Sequence, residues 1–182
     1  MIELEKKILL TDREYRFLLE YFEAKSTVTQ VNFYFDTKNF ALNQQNITCR
    51  IRLKDGKYHA TMKCHTSSEK SLELGMKIRD GLKDNSFLDM GLNCQGSLIT
   101  QRSILMKDAN YEVVLDYNKY LGVTDYELEI EYLPDYEEKA CRVFNDILMI
   151  LHNVTNDSIK ENKLNTKSKS QRFFERKMML KS

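Results

Sequence analysis

The segment YELEIEY, residues 126–132, restricts the fold of this chain more than any other. Glu127, Glu129 and Glu131 alternate with Tyr126, Leu128, Ile130 and Tyr132. A period of two is the mark of a strand, so three carboxylates share one face and four large apolar side chains share the other. Like charges side by side on a sheet oppose each other by roughly 0.2–1 kcal/mol per pair. The fold must therefore bring cations to that face, as side chains or as bound ions.

The pattern recurs with changing sign. Glu3, Glu5 and Lys7 share a face of IELEKKILL, and Arg50 and Arg52 share a face of CRIRLK, opposite Ile51 and Leu53. Lys63 aligns with Thr61 and His59 in HATMK, Arg102 stands in ITQRSIL, and Asp116 shares a face with Val114 and Glu112. An ordinary half-exposed sheet turns such faces to water. A solvated face mixes its signs, however, whereas here the last strand is all glutamate and CRIRLK is all cationic. Arginine is prominent, and its planar fork matches phosphate or carboxylate oxygens.

Strand periodicity covers most of the chain. QVNFYFDT is rich in β-branched and aromatic residues. NITCRIRLKDGKYHATMKC divides at Lys54-Asp55-Gly56-Lys57, where Asp-Gly predicts a hairpin. SLELGMKI, SLITQRSILM, NYEVVLDY and TDYELEIEYL follow, the middle pair joined by a turn at Asp108 to Asn110. With the opening segment this gives about eight strands, a natural number for a closed antiparallel barrel.

Two helices stand out. TDREYRFLLEYFEA begins with Thr11 and Glu14 at capping-box spacing and carries Tyr15, Leu18, Leu19 and Phe22 on one face. PDYEEKACRVFNDILMILHN, capped by Asp135 and Glu138, carries Ala140, Val143, Phe144, Ile147, Leu148 and Leu151. Both stripes predict packing elements. Residues 79–96 are expected to be loop with a short helix. The predicted class is α+β, mainly antiparallel β: an eight-stranded closed β-barrel with flanking helices.

The totals remove several classes. Lys and Arg number 28 against 27 Asp and Glu, so bulk positive charge for coating nucleic acid is missing. Cys49, Cys64, Cys94 and Cys141 form no CxxC pair and the three histidines no HxxxH or HxH pattern, which argues against zinc and for a reduced, cytoplasmic chain. No apolar run of about 18 residues is present to span a membrane. With one proline and six glycines there is no sign of a linker, and residues 1–182 are expected to form a single domain.

A barrel that turns the charged faces inward resolves the conflict between them. Its lumen would set carboxylates on one wall and Arg and Lys on the other, and would stay wet and hold ions. A carboxylate wall suits a hard divalent cation. A guanidinium and ammonium wall suits a polyanion carrying several phosphoryl groups. The two together are the requirement for phosphoryl transfer or hydrolysis.

Glu3-Leu4-Glu5-Lys6-Lys7 resembles the ExExK signature of the CYTH superfamily, the triphosphate tunnel metalloenzymes. FYFDT, CRIRLK, ATMK, Arg102, VVLDYNKYLG, TDYELEIE and SKSQRFF follow in family order, from residue 3 to residue 173, and the likeness is greatest to the bacterial YjbK-like triphosphatases. The resemblance implies a triphosphate-binding tunnel that works with Mg²⁺ or Mn²⁺. By motif position Glu3, Glu5, Glu127, Glu129, Glu131 and Asp116 would serve the metal, with Asp116 alternatively orienting a cation. Lys7, Arg50, Arg52, Lys63, Arg102, Lys169 and Arg172 would clamp phosphate. Glu5, Lys7, Glu129 and Glu131 are the candidate catalytic residues. Glu73 in SLELGMK is a further candidate lumen carboxylate, but between Cys64 and Leu98 the chain departs from the family segments, so the resemblance assigns no role to Glu73, Lys77 or Arg79.

The expected activity is metal-dependent hydrolysis of a small-molecule triphosphate by water attack on a terminal phosphoryl group, with no nucleic-acid or membrane partner. With no tryptophan and no base-reading set, inorganic triphosphate is favoured; Phe40, Tyr58, Tyr120, Phe173 and Phe174 are the aromatics that could otherwise shelve an organic group, each also explicable as packing. The alternatives are a class IV-type adenylate cyclase and a non-catalytic sensor of polyphosphate or nucleotide.

Overall fold

The computed structural model describes residues 2–24, 26–67, 69–78, 86–155 and 166–181. Its strands are β1 (Ile2–Leu10), β2 (Ser26–Asp36), β3 (Ile47–Lys54), β4 (Lys57–His65), β5 (Lys70–Ile78), β6 (Asn93–Lys107), β7 (Tyr111–Tyr120) and β8 (Val123–Tyr132). They close into a barrel in the order β1-β5-β4-β3-β2-β6-β7-β8, with β8 returning to β1 and every neighbouring pair antiparallel. Closure removes the free edges that such long strands would otherwise expose.

The predicted hairpin at Lys54–Lys57 turns through Asp55 and Gly56, both with positive φ (50° and 71°), as a tight primed turn requires. At the β6–β7 hairpin Asp108 Oδ1 accepts from the Asn110 and Tyr111 N–H groups at 2.6 and 3.0 Å.

The apolar faces of the strands point outward and are covered by helices α1 (Asp12–Tyr21), α2 (Ala41–Gln44), α3 (Ser86–Asp89) and α4 (Glu137–Thr155), except on β5, where Leu72, Leu74 and Met76 stay exposed. The Thr11–Glu14 capping box forms: Thr11 Oγ1 accepts from the Glu14 N–H at 3.2 Å, and Glu14 Oε2 accepts from the Thr11 N–H at 2.7 Å. Leu18 of α1 and Ala140, Phe144, Ile147 and Leu151 of α4 are buried on Ile8, Leu115, Leu128 and Ile130. Cys49, Ile51 and Ala60 of β3 and β4 are buried with Phe87 of α3. The core is thus a sleeve around the barrel, and the space inside is left to polar side chains.

Three features differ from expectation. A 3-10 turn, Pro134–Tyr136, precedes α4, so the helix proper starts at Glu137. Residues 93–96, expected to be loop, belong to β6; the short helix is found at Ser86–Asp89, and 79–85 lie outside the described residues. A further helix, α5 (Lys169–Met179), lies across one end of the barrel. It begins with its own capping box, in which Ser168 Oγ accepts from the Gln171 N–H at 3.3 Å and Gln171 Oε1 accepts from the Ser168 N–H at 2.8 Å. Phe173 and Phe174 of α5 are buried on Tyr34, Leu98 and Tyr120, which the strand alternation turns inward. This end is therefore stoppered by aromatics.

Candidate active site

Registration carries the charged faces into a common lumen. Glu5 lies opposite Glu131 and Lys7 opposite Glu129 across β1 and β8, while Glu127 lies opposite Asp116 and Glu131 opposite Glu112 across β8 and β7. Carboxylates thus occupy a continuous arc from β7 through β8 to β1. Arg50 and Arg52 of β3 and Lys63 of β4 occupy another, and Arg102 enters from β6. A cavity of about 330 Å³ runs between the arcs. Of the expected site residues Glu3, Glu5, Lys7, Arg50, Arg52, Lys63, Arg102, Asp116, Glu129, Glu131 and Lys169 line it.

Each carboxylate is met by a cation. Lys63 Nζ lies 2.7 Å from Glu3 and 3.7 Å from Glu5, and Lys7 Nζ donates to Glu5. Arg102 clasps Asp116 through Nε and Nη2 at 2.9 and 2.8 Å, and also donates to Glu129 at 2.5 Å and Glu131 at 2.9 Å. Lys169, the first residue of α5, reaches Asp116, Glu127 and Glu129 at 2.9, 2.9 and 3.0 Å.

Burial and these partners set the ionisation of the walls. Burial would raise the Glu129 carboxyl, but Lys169, Arg102 and Lys7 outweigh it and hold the group well below the usual range. Burial, with the charge of Glu129 added to it, raises the Glu5 carboxyl against the pull of Lys7 and Lys63. For Lys169, burial is overcome by Asp116, Glu127 and Glu129, which lift its ammonium well above the ordinary value.

The β3 arginines are less well supplied. Arg52 donates from Nε to Asn32 Oδ1 at 2.8 Å, and among the described residues no carboxylate forms an ion pair with it. Burial, with Arg50 and Arg102 nearby, pushes its guanidinium down to about 10. Arg50 meets Glu73 at 3.5 Å, yet its buried Nε has no hydrogen-bond acceptor among the described residues. The carboxylate arc is closely paired with cations, whereas of the two β3 arginines only Arg50 has a carboxylate partner among the described residues, and that at 3.5 Å, which leaves the lumen beside β3 with an excess of positive charge.

The oxygen-only donor set of Glu3, Glu5, Glu129 and Glu131 suits a hard divalent cation. Among the described residues no three acidic, histidine or cysteine side chains converge at ligand spacing; Lys7, Lys63 and Arg102 are paired with these four carboxylates.

A CYTH domain model matches residues 1–160. A Bacillus subtilis (strain 168) protein named "Putative triphosphatase YjbK" is 32% identical, covering 97% of this chain and 96% of its own. The chain belongs to the CYTH family. A Bacillus halodurans crystal structure named as a "putative adenylate cyclase" superposes on the CYTH tunnel with TM-score 0.73 at 25% identity, over 94% of this chain and 97% of that one. A Hippeastrum protein whose description reports a dominant triphosphatase activity shares the fold with TM-score 0.62 at 18% identity, over 82% and 87% of the two chains.

Two expected clamp or metal residues sit elsewhere in the CYTH tunnel. Arg172 and Glu127 do not line the cavity: Arg172 Nη2 donates to Glu127 Oε2 at 2.8 Å, behind Lys169. Glu73 lines the cavity, Lys77 is exposed on β5, and Arg79 lies outside the described residues. Apart from Ser168, which the SKSQRFF resemblance includes, sequence reading missed the neutral lining: Thr48, His65 and Ser170 at the inner end, Gln30 and Thr100 between the arcs. The S-x-x-Q capping signal at Ser168 could have revealed α5 and the groups at its start. Of the five aromatics considered for an organic shelf, Phe40, Tyr120, Phe173 and Phe174 belong to the stopper and Tyr58 packs outside the barrel.

Proposed function

We propose that this chain is a metal-dependent triphosphatase whose substrate is inorganic triphosphate. The observation that carries the reading is the unequal compensation of the two arcs: carboxylates gathered on β7, β8 and β1 and closely paired with cations, facing two β3 arginines of which Arg50 meets only Glu73, at 3.5 Å, and Arg52 only the neutral Asn32 among the described residues. The CYTH match and the triphosphatase named at 32% identity support it. For the substrate, Tyr34 is the single Phe or Tyr among the described lining residues, and it is buried against Phe173, so no aromatic face is offered to a base or a thiazolium ring.

Arg50, Arg52 and Lys63 would take the phosphate oxygens, with Arg102 and Lys169 reaching from either side. Glu3, Glu5, Glu129 and Glu131 would hold Mg²⁺ or Mn²⁺, which when bound neutralises charge on the phosphate oxygens. Glu131, the more open of the two β8 carboxylates on the cavity, would orient the attacking water and accept its proton. The water oxygen bonds to the terminal phosphorus as the bridging P–O bond breaks, giving orthophosphate and diphosphate. Lys7 and Arg102 stay fixed as the leaving diphosphate gains charge, which is preorganised electrostatic stabilisation. Asp116 would act as an orienting group, since both its oxygens are held by Arg102.

The test is release of orthophosphate from inorganic triphosphate, ATP and thiamine triphosphate with Mg²⁺, Mn²⁺ or chelator, with chromatography of the products. Metal-dependent orthophosphate release, fastest with inorganic triphosphate, is expected. Cyclic nucleotide would place the chain among cyclases, and ligand binding without turnover would make it a sensor.

A further inference from the structure

Beside the aromatic stopper the tunnel adjoins further polar space. A second cavity of about 280 Å³ shares Lys7, His65 and Ser168 with it, and is otherwise lined by Asn46, Thr66, Ser67, Thr166, Lys167 and Gln171. Its chemistry is unlike that of the tunnel. Two lysines and a set of hydroxyl and amide groups line it, with no carboxylate among the described lining residues. Ser67 Oγ accepts from the Glu69 and Lys70 N–H groups at 3.3 and 3.0 Å, so its own proton is left to donate. Ser168 marks the N-terminal end of α5, where the helix dipole adds positive potential. Burial, Lys63 and Lys7 push His65 down to about 4, so the ring that joins the two cavities is neutral at pH 7 and lies in a cationic field.

Among the described lining residues no carboxylate is present to hold a divalent cation, and a lining of donors suits a small oxyanion. We propose that this chamber is a second anion subsite, which takes orthophosphate as it leaves the inner end of the tunnel. The proposal rests on the triphosphatase reading for the origin of its ligand. The stopper of Phe173 and Phe174 closes the β2, β6 and β7 side of the barrel end, and the chamber provides the way out on the side of β1 and β4.

Two substitutions test it, Asn46→Asp and Ser67→Asp. Both suit their sites: Asn46 has φ 58°, which Asp also tolerates, and a carboxylate can accept the N–H groups that Ser67 Oγ now accepts. Neither residue lines the tunnel. With inorganic triphosphate and Mg²⁺, added orthophosphate is expected to lower the maximal rate as well as raise KM, because it binds while the tunnel is filled. In either variant the new charge should weaken that effect on maximal rate about tenfold with KM for triphosphate unchanged. Purely competitive inhibition, or equal inhibition in wild type and variants, overturns the chamber. Calorimetry with orthophosphate alone, without metal, separates the two readings. About tenfold weaker binding in the variants sustains the chamber even where triphosphate is not hydrolysed, and equal or absent binding removes it.

Discussion

Arg172 holds Asp125 by two contacts, Nε to Oδ2 at 3.0 Å and Nη2 to Oδ1 at 3.3 Å. Asp125 also accepts from Asn118 Nδ2 at 2.9 Å and from the Tyr120 hydroxyl at 2.8 Å, and Arg172 goes on to Glu127 Oε2 and the Lys167 carbonyl. The arginine that family position would assign to phosphate is thus engaged by protein oxygens. It fastens α5 to β8, and Lys169, one turn earlier on the same helix, is thereby held over Asp116, Glu127 and Glu129.

Removing one partner of this pair leaves the other charge buried. Asp125→Ala should destabilise the protein by about 3–5 kcal/mol in urea unfolding, with Arg172→Ala similar. If α5 positions Lys169, Arg172→Ala should also lower kcat more than it raises KM. A rise in KM alone would return Arg172 to the phosphate clamp.

Glu5 and Glu131 are register partners across β1 and β8, and both line the tunnel. Glu5→Ala and Glu131→Ala should each cut metal-dependent turnover by about 100-fold or more, with far-ultraviolet circular dichroism retained. Mn²⁺ titration by calorimetry should show weaker binding in both. Activity like that of the wild type in the two variants would remove the carboxylate arc from the mechanism.

His65 gives stability a pH dependence. Its folded value of about 4 lies below the ordinary 6.5, so between these values the unfolded chain binds a proton that the native protein does not. The contribution is complete above pH 6.5 and is lost as pH falls toward 4. His65→Gln should make the decline of the urea midpoint between pH 6.5 and 4 shallower than in wild type. Nuclear magnetic resonance of the ring should place its titration near 4, and an ordinary titration near 6.5 would contradict the burial argument.

The barrel was legible from about eight alternating strands together with charged faces whose sign changes from strand to strand, such as Glu127, Glu129 and Glu131 against Arg50 and Arg52, a pattern that a simple solvated sheet does not favour. The Thr11 cap and the α4 stripe were legible for the same local reason. What could not be read depended on contacts distant in sequence. Arg50 and Arg172 look alike as residues, yet one leaves a buried nitrogen without an acceptor and the other is held by Asp125 and Glu127. Tyr34 and Leu98 face inward like the charged positions, and only Phe173 and Phe174 arriving from α5 make that end of the lumen apolar. Thr48, Ser168 and Ser170 carry no charge pattern, so their gathering at the inner end left no periodic trace.

Arg52 gives the sharpest separation between structure and function. Its guanidinium is desolvated, faces Arg50 and Arg102, and has Asn32 rather than a carboxylate as its partner. Arg52→Gln keeps a donor near Asn32 and removes the charge, so the free protein should melt higher, by a few degrees, as the repulsion is relieved. Triphosphate should then stabilise the variant less than the wild type, because stabilisation follows the logarithm of ligand concentration over Kd. KM should rise by about tenfold or more, as expected for a lost charge-assisted contact. Arg102→Gln should behave in the opposite way, melting lower in the free protein because Asp116, Glu129 and Glu131 lose their common cation. Thermal melts of the two variants with and without inorganic triphosphate decide the matter. A lower melting temperature for free Arg52→Gln would mean that the arginine supports the barrel and is not held in readiness for an anion.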